Sequence, residues 1–312
     1  MPERRGAIGA LERVLHFKAI PAFRGLHNEA LSALAESARE RFYPRGALVF
    51  DESAPIATIQ HILDGRVRLA RGGHEISRAG PGTPLGALAV LARMPMAVQG
   101  TAETDTVTLE IDSDTLLEVC DDHFSVVHNL LRYIARWIVE IEKREGPQGP
   151  PVRHYRPVRR LVEGELDLVE RIFYLRQFPV FSAASINALA ELSRGLTEVR
   201  FGPGVPLWSA GDAGPYGLLV VEGTVDCSVP GGPGFAAGQG WALGIMESIA
   251  EIPRWHDATT ASPVVALHGA TEGLIDVFED SVEMAMNFLS LLARGILAHI
   301  ERRGPAAVPQ PA

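Results

Sequence analysis

Shifted along itself by 158 positions, this sequence superimposes without a gap over nearly a hundred residues, so that Pro21-Ala22-Phe23 falls on Pro179-Val180-Phe181. Leu31 and Leu34 meet Leu189 and Leu192, Gly46 meets Gly204, and Gly65 and Val67 meet Gly223 and Val225. Further on, Ala79-Gly80 meets Ala237-Gly238, Leu85-Gly86 meets Leu243-Gly244, and Pro95 and Thr101 meet Pro253 and Thr259. Matched glycines carry the most weight, because positions that need a positive φ or a close chain approach tolerate little else. A repeat of this length is a duplicated structural module. It agrees with the two domains that 312 residues imply at about 150 per domain.

Each copy reads alike. Apolar Leu31, Leu34, Ala35 and Ala38 make a helical stripe over Asn28–Arg39, with Ser185–Leu196 as its counterpart. Short β-branched runs then alternate with turn residues. Ala47–Phe50, Ile59–Leu63 and Arg66–Ala70 are separated by Asp64-Gly65 and followed by Gly72-Gly73, pairs that mark tight hairpins. Leu218–Val221 and Thr224–Val229 repeat the pattern. A last strand, Thr106–Ile111 or Val264–His268, leads into a long amphipathic helix, about Asp121–Arg144 and Asp280–Arg302. The expected fold class is α+β: two repeated β-roll (jelly-roll) modules, each flanked by helices and closed by a long C-terminal helix. The expected division is a helical extension over 1–18, modules over 19–145 and 158–303, a Pro/Gly linker over 146–157 and a disordered tail over 304–312.

Composition excludes several functions. With 29 basic and 38 acidic residues the net charge is −9, which opposes a general grip on nucleic acid. After Arg303 nine residues remain, so no DNA-reading domain is expected there. Two cysteines suit a reducing compartment, and neither a secretory signal nor an uninterrupted apolar span of about 18 residues is visible, so a cytoplasmic protein with no membrane role is expected. A cupin-like metal site needs paired histidines on one strand, and His61, His74 and His268 stand apart. Cys120 and His123 share a helix face, but two ligands alone make no metal site. No nucleophile–base pair is apparent, and the expectation is not an enzyme.

Ile20–Leu26, Phe42-Tyr43-Pro44-Arg45-Gly46, Ile62-Leu63-Asp64-Gly65-Arg66-Val67 and Leu85-Gly86-Ala87-Leu88-Ala89, in this order of elements, resemble the cyclic-nucleotide-binding domain family. That family includes Crp-type bacterial regulators and the regulatory subunits of cAMP-dependent kinase, and the resemblance covers most of the chain. It implies a phosphate-binding cassette of the form Phe-Gly-Glu-Leu-Ala, followed about ten residues later by Pro-Arg-Ala-Ala. The glutamate takes the ribose hydroxyl. The arginine takes the cyclic phosphate, because a guanidinium offers two parallel N–H donors to an anion that backbone N–H groups also hold.

Measured against that motif, the first cassette has Gly86, with Ala87 at the acid position and Met96 and Ala97 at the arginine and its neighbour. The second has Gly244, Ile245 at the acid position, Arg254 retained, and large Trp255 and His256 where the family has small residues. Glu247 stands two positions late, about 200° round a helix from the acid position. Losing two hydrogen bonds to charged groups, at about 1.5–3 kcal/mol each, turns a micromolar site millimolar or worse. The first cassette is therefore read as degenerate. For the second, the expectation divides between a structural arginine with Trp255 filling the pocket and a nucleotide site using Gly244, Ile245, Arg254 and Trp255.

The function expected is a non-enzymatic regulatory or adaptor protein acting on an unidentified protein partner, with no resident cofactor; a cyclic or other phosphorylated nucleotide bound through Arg254 is the alternative. The basic run Arg153, His154, Arg156, Arg159 and Arg160 is read as solvated linker or a patch for an acidic partner. Val127, Leu131, Ile134 and Ile138 on the first long helix, and Met284, Phe288, Leu292 and Ile300 on the second, make apolar faces suited to pairing within the chain or in a homodimer.

Overall fold

The structure, a computed structural model, describes residues 9–52, 57–95, 98–147 and 164–303. The first module opens with α1 (Ala10–Ala19) and α2 (Asn28–Ser37), joined by a 3-10 turn at Pro21–Phe23. The helical stripe explains how α2 lies: Ala30, Leu31, Leu34 and Ala35 are buried. Eight strands follow: β1 (Arg39–Tyr43), β2 (Leu48–Phe50), β3 (Thr58–Asp64), β4 (Val67–Arg71), β5 (His74–Ala79), β6 (Pro84–Leu85), β7 (Gln99–Ala102) and β8 (Thr106–Asp112). The short helix α3 (Ala87–Ala92) lies between β6 and β7, and α4 (Ser113–Asp122) and α5 (Phe124–Glu145) end the module. The strands make two antiparallel sheets, ordered β1-β8-β3-β6 and β2-β7-β4-β5. Ile62 and Leu85 from one sheet meet Val67 and Ala79 from the other in the roll interior.

The second module consists of α6 (Leu168–Leu175), α7 (Ile186–Arg194), β9 (Leu196–Phe201), β10 (Pro206–Trp208), β11 (Tyr216–Glu222), β12 (Val225–Ser228), β13 (Phe235–Ala237), β14 (Ala242–Leu243), α8 (Ile245–Ile249), β15 (Asp257–Thr260), β16 (Val264–Ala270), α9 (Thr271–Asp280) and α10 (Val282–Arg303). Its sheets run β14-β11-β16-β9 and β10-β15-β12-β13, the same topology. Each element begins within three residues of its counterpart's position shifted by 158. The repeat therefore extends from α1 to the end of α5. The stretch expected to be an extension over 1–18 includes α1, whose Phe17 is buried and which corresponds to α6. The remainder of that extension, most of the linker with its basic run, and the tail lie outside the described residues.

Two local readings change. Asp64-Gly65 and Glu222-Gly223 were expected to close hairpins, yet β3 pairs with β6 and β8 while β4 pairs with β5 and β7, so these glycines carry the chain between sheets. Gly65 and Gly223 have φ of 91° and 89°, and a Cβ there would run into the carbonyls of Asp105 and Pro263. A tight positive-φ turn is legible in sequence; which strands it joins is not. Gly72-Gly73 does close the β4–β5 hairpin. The long helices are also each preceded by a separate ten-residue helix, α4 or α9, because His123 and Ser281 leave helical geometry.

By its contacts the described part of the chain divides into two compact units, residues up to Leu130 together with 297–303, and Leu131–Ile296. The division falls inside both long helices, α5 and α10, and not at the Pro/Gly stretch. In the first unit Arg71 meets Glu301 at 3.8 Å. In the second, Arg132 of α5 meets Glu251 at 2.9 Å and Arg136 donates to the Ala250 carbonyl at 2.8 Å. Among the described residues no single helix is long and apolar enough to cross a membrane.

Candidate functional site

In both modules a glycine in the left-handed region starts the cassette helix: Gly86 (φ 87°) before α3 and Gly244 (φ 77°) before α8. Ala87 and Ile245 are the first helical residues, at the position of the family's acid. Met96 and Ala97 lie outside the described residues.

Arg254 is 2% exposed. One of its terminal nitrogens, Nη1, donates to the Gly244 carbonyl and lies 3.4 Å from Ser248 Oγ, while Nη2 donates to the Tyr216 carbonyl at 2.5 Å. The guanidinium carbon lies 4.6 Å from the Trp208 ring centre and 4.9 Å from that of Tyr216. Carbonyl dipoles and two aromatic faces thus surround the positive charge. The cradle depends on missing side chains, since a Cβ at Gly214 or Gly244 would collide with the guanidinium. Ser248 strengthens the same knot, its Oγ lying 2.9 Å from the Tyr216 carbonyl and 2.8 Å from that of Gly244.

Arg254 and Trp255, considered together in sequence as phosphate anchor and stacking surface, engage different partners. Trp255 is buried and stacks on Phe235 at 5.8 Å and 24°. Phe235 also stacks on Trp241 at 5.8 Å. His256 stands edge-on to Trp255 at 5.0 Å, and its Nε2 lies 3.5 Å from Glu247 Oε1 with both side chains fully buried. Glu247 therefore faces inward. The second roll is filled by its own aromatic rings, with Trp208 and Trp241 in the central cluster beside Leu218, Val220 and Leu243.

Sequence reasoning missed the partners of Arg254, which are chiefly backbone carbonyls and so leave no mark in residue type. It also missed a matched pair of backbone outliers. Arg93 and Glu251, 158 positions apart, are the non-glycine residues with positive φ among the described residues, at 52° and 54°. Each follows its cassette helix, where the left-handed conformation ends a helix but normally selects glycine. Such strain clusters where structure is held for function. Glu251 is the residue that Arg132 engages. Among the described residues no three His, Cys, Asp or Glu side chains converge as a metal site. Cys120 is a buried thiol whose pKa burial pushes up to about 12.

Two β-rolls, each with a glycine-led cassette helix and closing helices, make up the described part of the chain. Residues 40–123 match the family model of the cyclic nucleotide-binding domain. The chain is 29% identical over 119 residues to a CRP-like cAMP-activated global transcriptional regulator of Mycobacterium tuberculosis, a match covering 36% of this chain and 53% of that protein. The chain thus spans about half the length of the curated relative it matches. Among solved structures it is similar to the regulatory domain of Toxoplasma gondii PKA with cAMP (14% identity, TM-score 0.36, covering 91% of this chain and 96% of that one). It is also similar to the N-terminal domain of a transcriptional regulator from Streptomyces coelicolor (27% identity, TM-score 0.35, covering 39% and 91%). The family match thus falls within the first module, and the second module repeats that module's architecture.

Proposed function

We propose that this chain is a non-enzymatic regulatory or adaptor protein that works through a protein partner and does not respond to cAMP or cGMP. One observation carries this reading: the retained phosphate-anchoring arginine, Arg254, is turned onto its own module, bound to the carbonyls of Gly244 and Tyr216 and stacked on Trp208 and Tyr216. To take a phosphate it would have to leave several compensating contacts. The acid that would hold a ribose is Ala87 in one cassette and Ile245 in the other, and the rings of Phe235, Trp241 and Trp255 take up interior volume. The apolar faces of the long helices, including Val127, Leu131, Ile138 and Leu292, are buried within the single chain, which favours a monomer over a homodimer built on them. The basic run from Arg153 to Arg160 is the stretch of sequence we assign to an acidic partner.

Replacing Arg254 by methionine, the residue of the first module, tests the reading. A structural arginine predicts a loss of about 3–6 kcal/mol from two charge-assisted hydrogen bonds, measured by denaturant unfolding without ligand. An arginine held for a ligand predicts unfolding unchanged from the parent.

A further inference from the structure

The second module contains a cavity of about 290 Å³ on the side of its roll that faces the helices. Every side chain lining it is apolar or absent; its walls include Leu219 of β11, Leu267 of β16, Ile245 and Met246 of α8, and Leu274 and Phe288 of the closing helices. It is a half-open pocket and not a sealed void, so its apolar walls can be reached from solvent.

Comparison of the modules shows how it is built. On β11 and β16 two glycines, Gly217 and Gly269, stand directly opposite each other and line the cavity. Their counterparts in the first module, Ile59 and Ile111, are also direct cross-strand partners, and both are buried. Gly273 in α9 lines the cavity where the first module has Thr115, and a Cβ at Gly273 would meet nothing within 4 Å. Glycine inside a strand or helix weakens that element, and in strands it marks places where a ligand approaches closely. Leu196 and Ile245, larger than Ala38 and Ala87 of the first module, lean towards Gly269 and Gly217, and the void remains.

We propose that this cavity is a binding site for a neutral, hydrocarbon-bodied small molecule. A dry cavity of about 150 Å³ lined by leucine, isoleucine and phenylalanine accepts benzene, so twice that volume suits a ligand of about ten to twelve carbons. An anion is excluded by the lining. The bound molecule would touch both the cassette helix, through Ile245 and Met246, and the closing helices, through Leu274 and Phe288. It would thereby link the two elements without touching Arg254, which does not line the pocket. This site stands independently of whether the module binds a nucleotide.

The test is fluorescence titration of the full chain at about pH 7 with the neutral ten-carbon probe 1-naphthylamine, followed by displacement with 1-decanol. We expect saturable binding at one site per chain, displaced by decanol and weakened at least tenfold by Gly273→Leu, which fills the void. Should Gly273→Leu fail to fold, as judged by its circular dichroism and thermal melt, Leu291→Trp narrows the same cavity and should weaken the probe likewise. Absence of saturable binding, or affinity unchanged in a folded cavity-filling variant, would overturn the proposal.

Discussion

The two β-rolls share strand order, register and cassette position, yet they are packed in opposite senses. Inside the roll, the second module has Trp208, Phe235 and Trp241 where the first has Phe50, Ser77 and Thr83. On the side facing the helices the exchange reverses, with Gly217 and Gly269 for Ile59 and Ile111, and Leu219 for His61. Bulk has moved from one face of the same strands to the other. Because side chains alternate across a strand, such exchanges leave the register intact while deciding which side of the sheet holds empty space. In the second module the roll interior is full and the helix side is open.

The largest break in this comparison is expected from Trp255→Ala, which gives the second cassette the residue type of Ala97. Removing a buried tryptophan stacked on Phe235 should cost about 3–5 kcal/mol in chemical denaturation. A loss below about 1 kcal/mol would mean that the ring is not part of the core.

The next effect concerns pH and the first module. His61 is 6% exposed, and burial, with a smaller contribution from the nearby His16 charge, lowers its pKa to about 4. The folded chain thus takes up this proton later than the unfolded chain, whose histidine titrates near 6.5. Stability from this site is complete above about pH 6.5 and is lost as pH falls towards 4, by up to about 3 kcal/mol. His61→Leu, which copies Leu219, should flatten the fall between those limits in urea denaturation at stepped pH. An undiminished acid slope would assign the effect elsewhere.

The smallest contrast lies in the left-handed residues. Arg93→Gly should stabilise by about 1 kcal/mol through relief of the backbone. Glu251→Gly should gain less, because it also removes the ion pair with Arg132, an exposed contact worth under about 1 kcal/mol. Equal gains in thermal melts would show that the α5 contact contributes nothing to the second cassette.

The repeat, the β-roll class and the cassette positions were legible because they rest on glycines and alternating apolar residues, whose constraints are local. The same offset relates α1 to α6, although the sequence reading placed residues 1–18 outside the repeat as an extension. Strand pairing across Asp64-Gly65 was not legible, since a positive-φ turn serves a hairpin or a crossing between sheets equally well. The separate helices α4 and α9 were hidden because His123 and Ser281 are unremarkable residues within long amphipathic patterns. At the site, Arg254 and Trp255 could be singled out, but their setting could not: the partners of Arg254 are carbonyls and rings distant in sequence. The paired glycines of β11 and β16 acquired meaning only when register set them opposite each other and beside a void.

The central claim, that the second cassette is satisfied by its own residues and does not serve a cyclic nucleotide, is tested most directly by titrating the full chain with cAMP and with cGMP in a calorimeter. The account predicts no binding heat for either nucleotide into the high-micromolar range, with Arg254→Ala equally silent. Micromolar binding by the parent chain, abolished by Arg254→Ala, would contradict it and make the second module a nucleotide sensor.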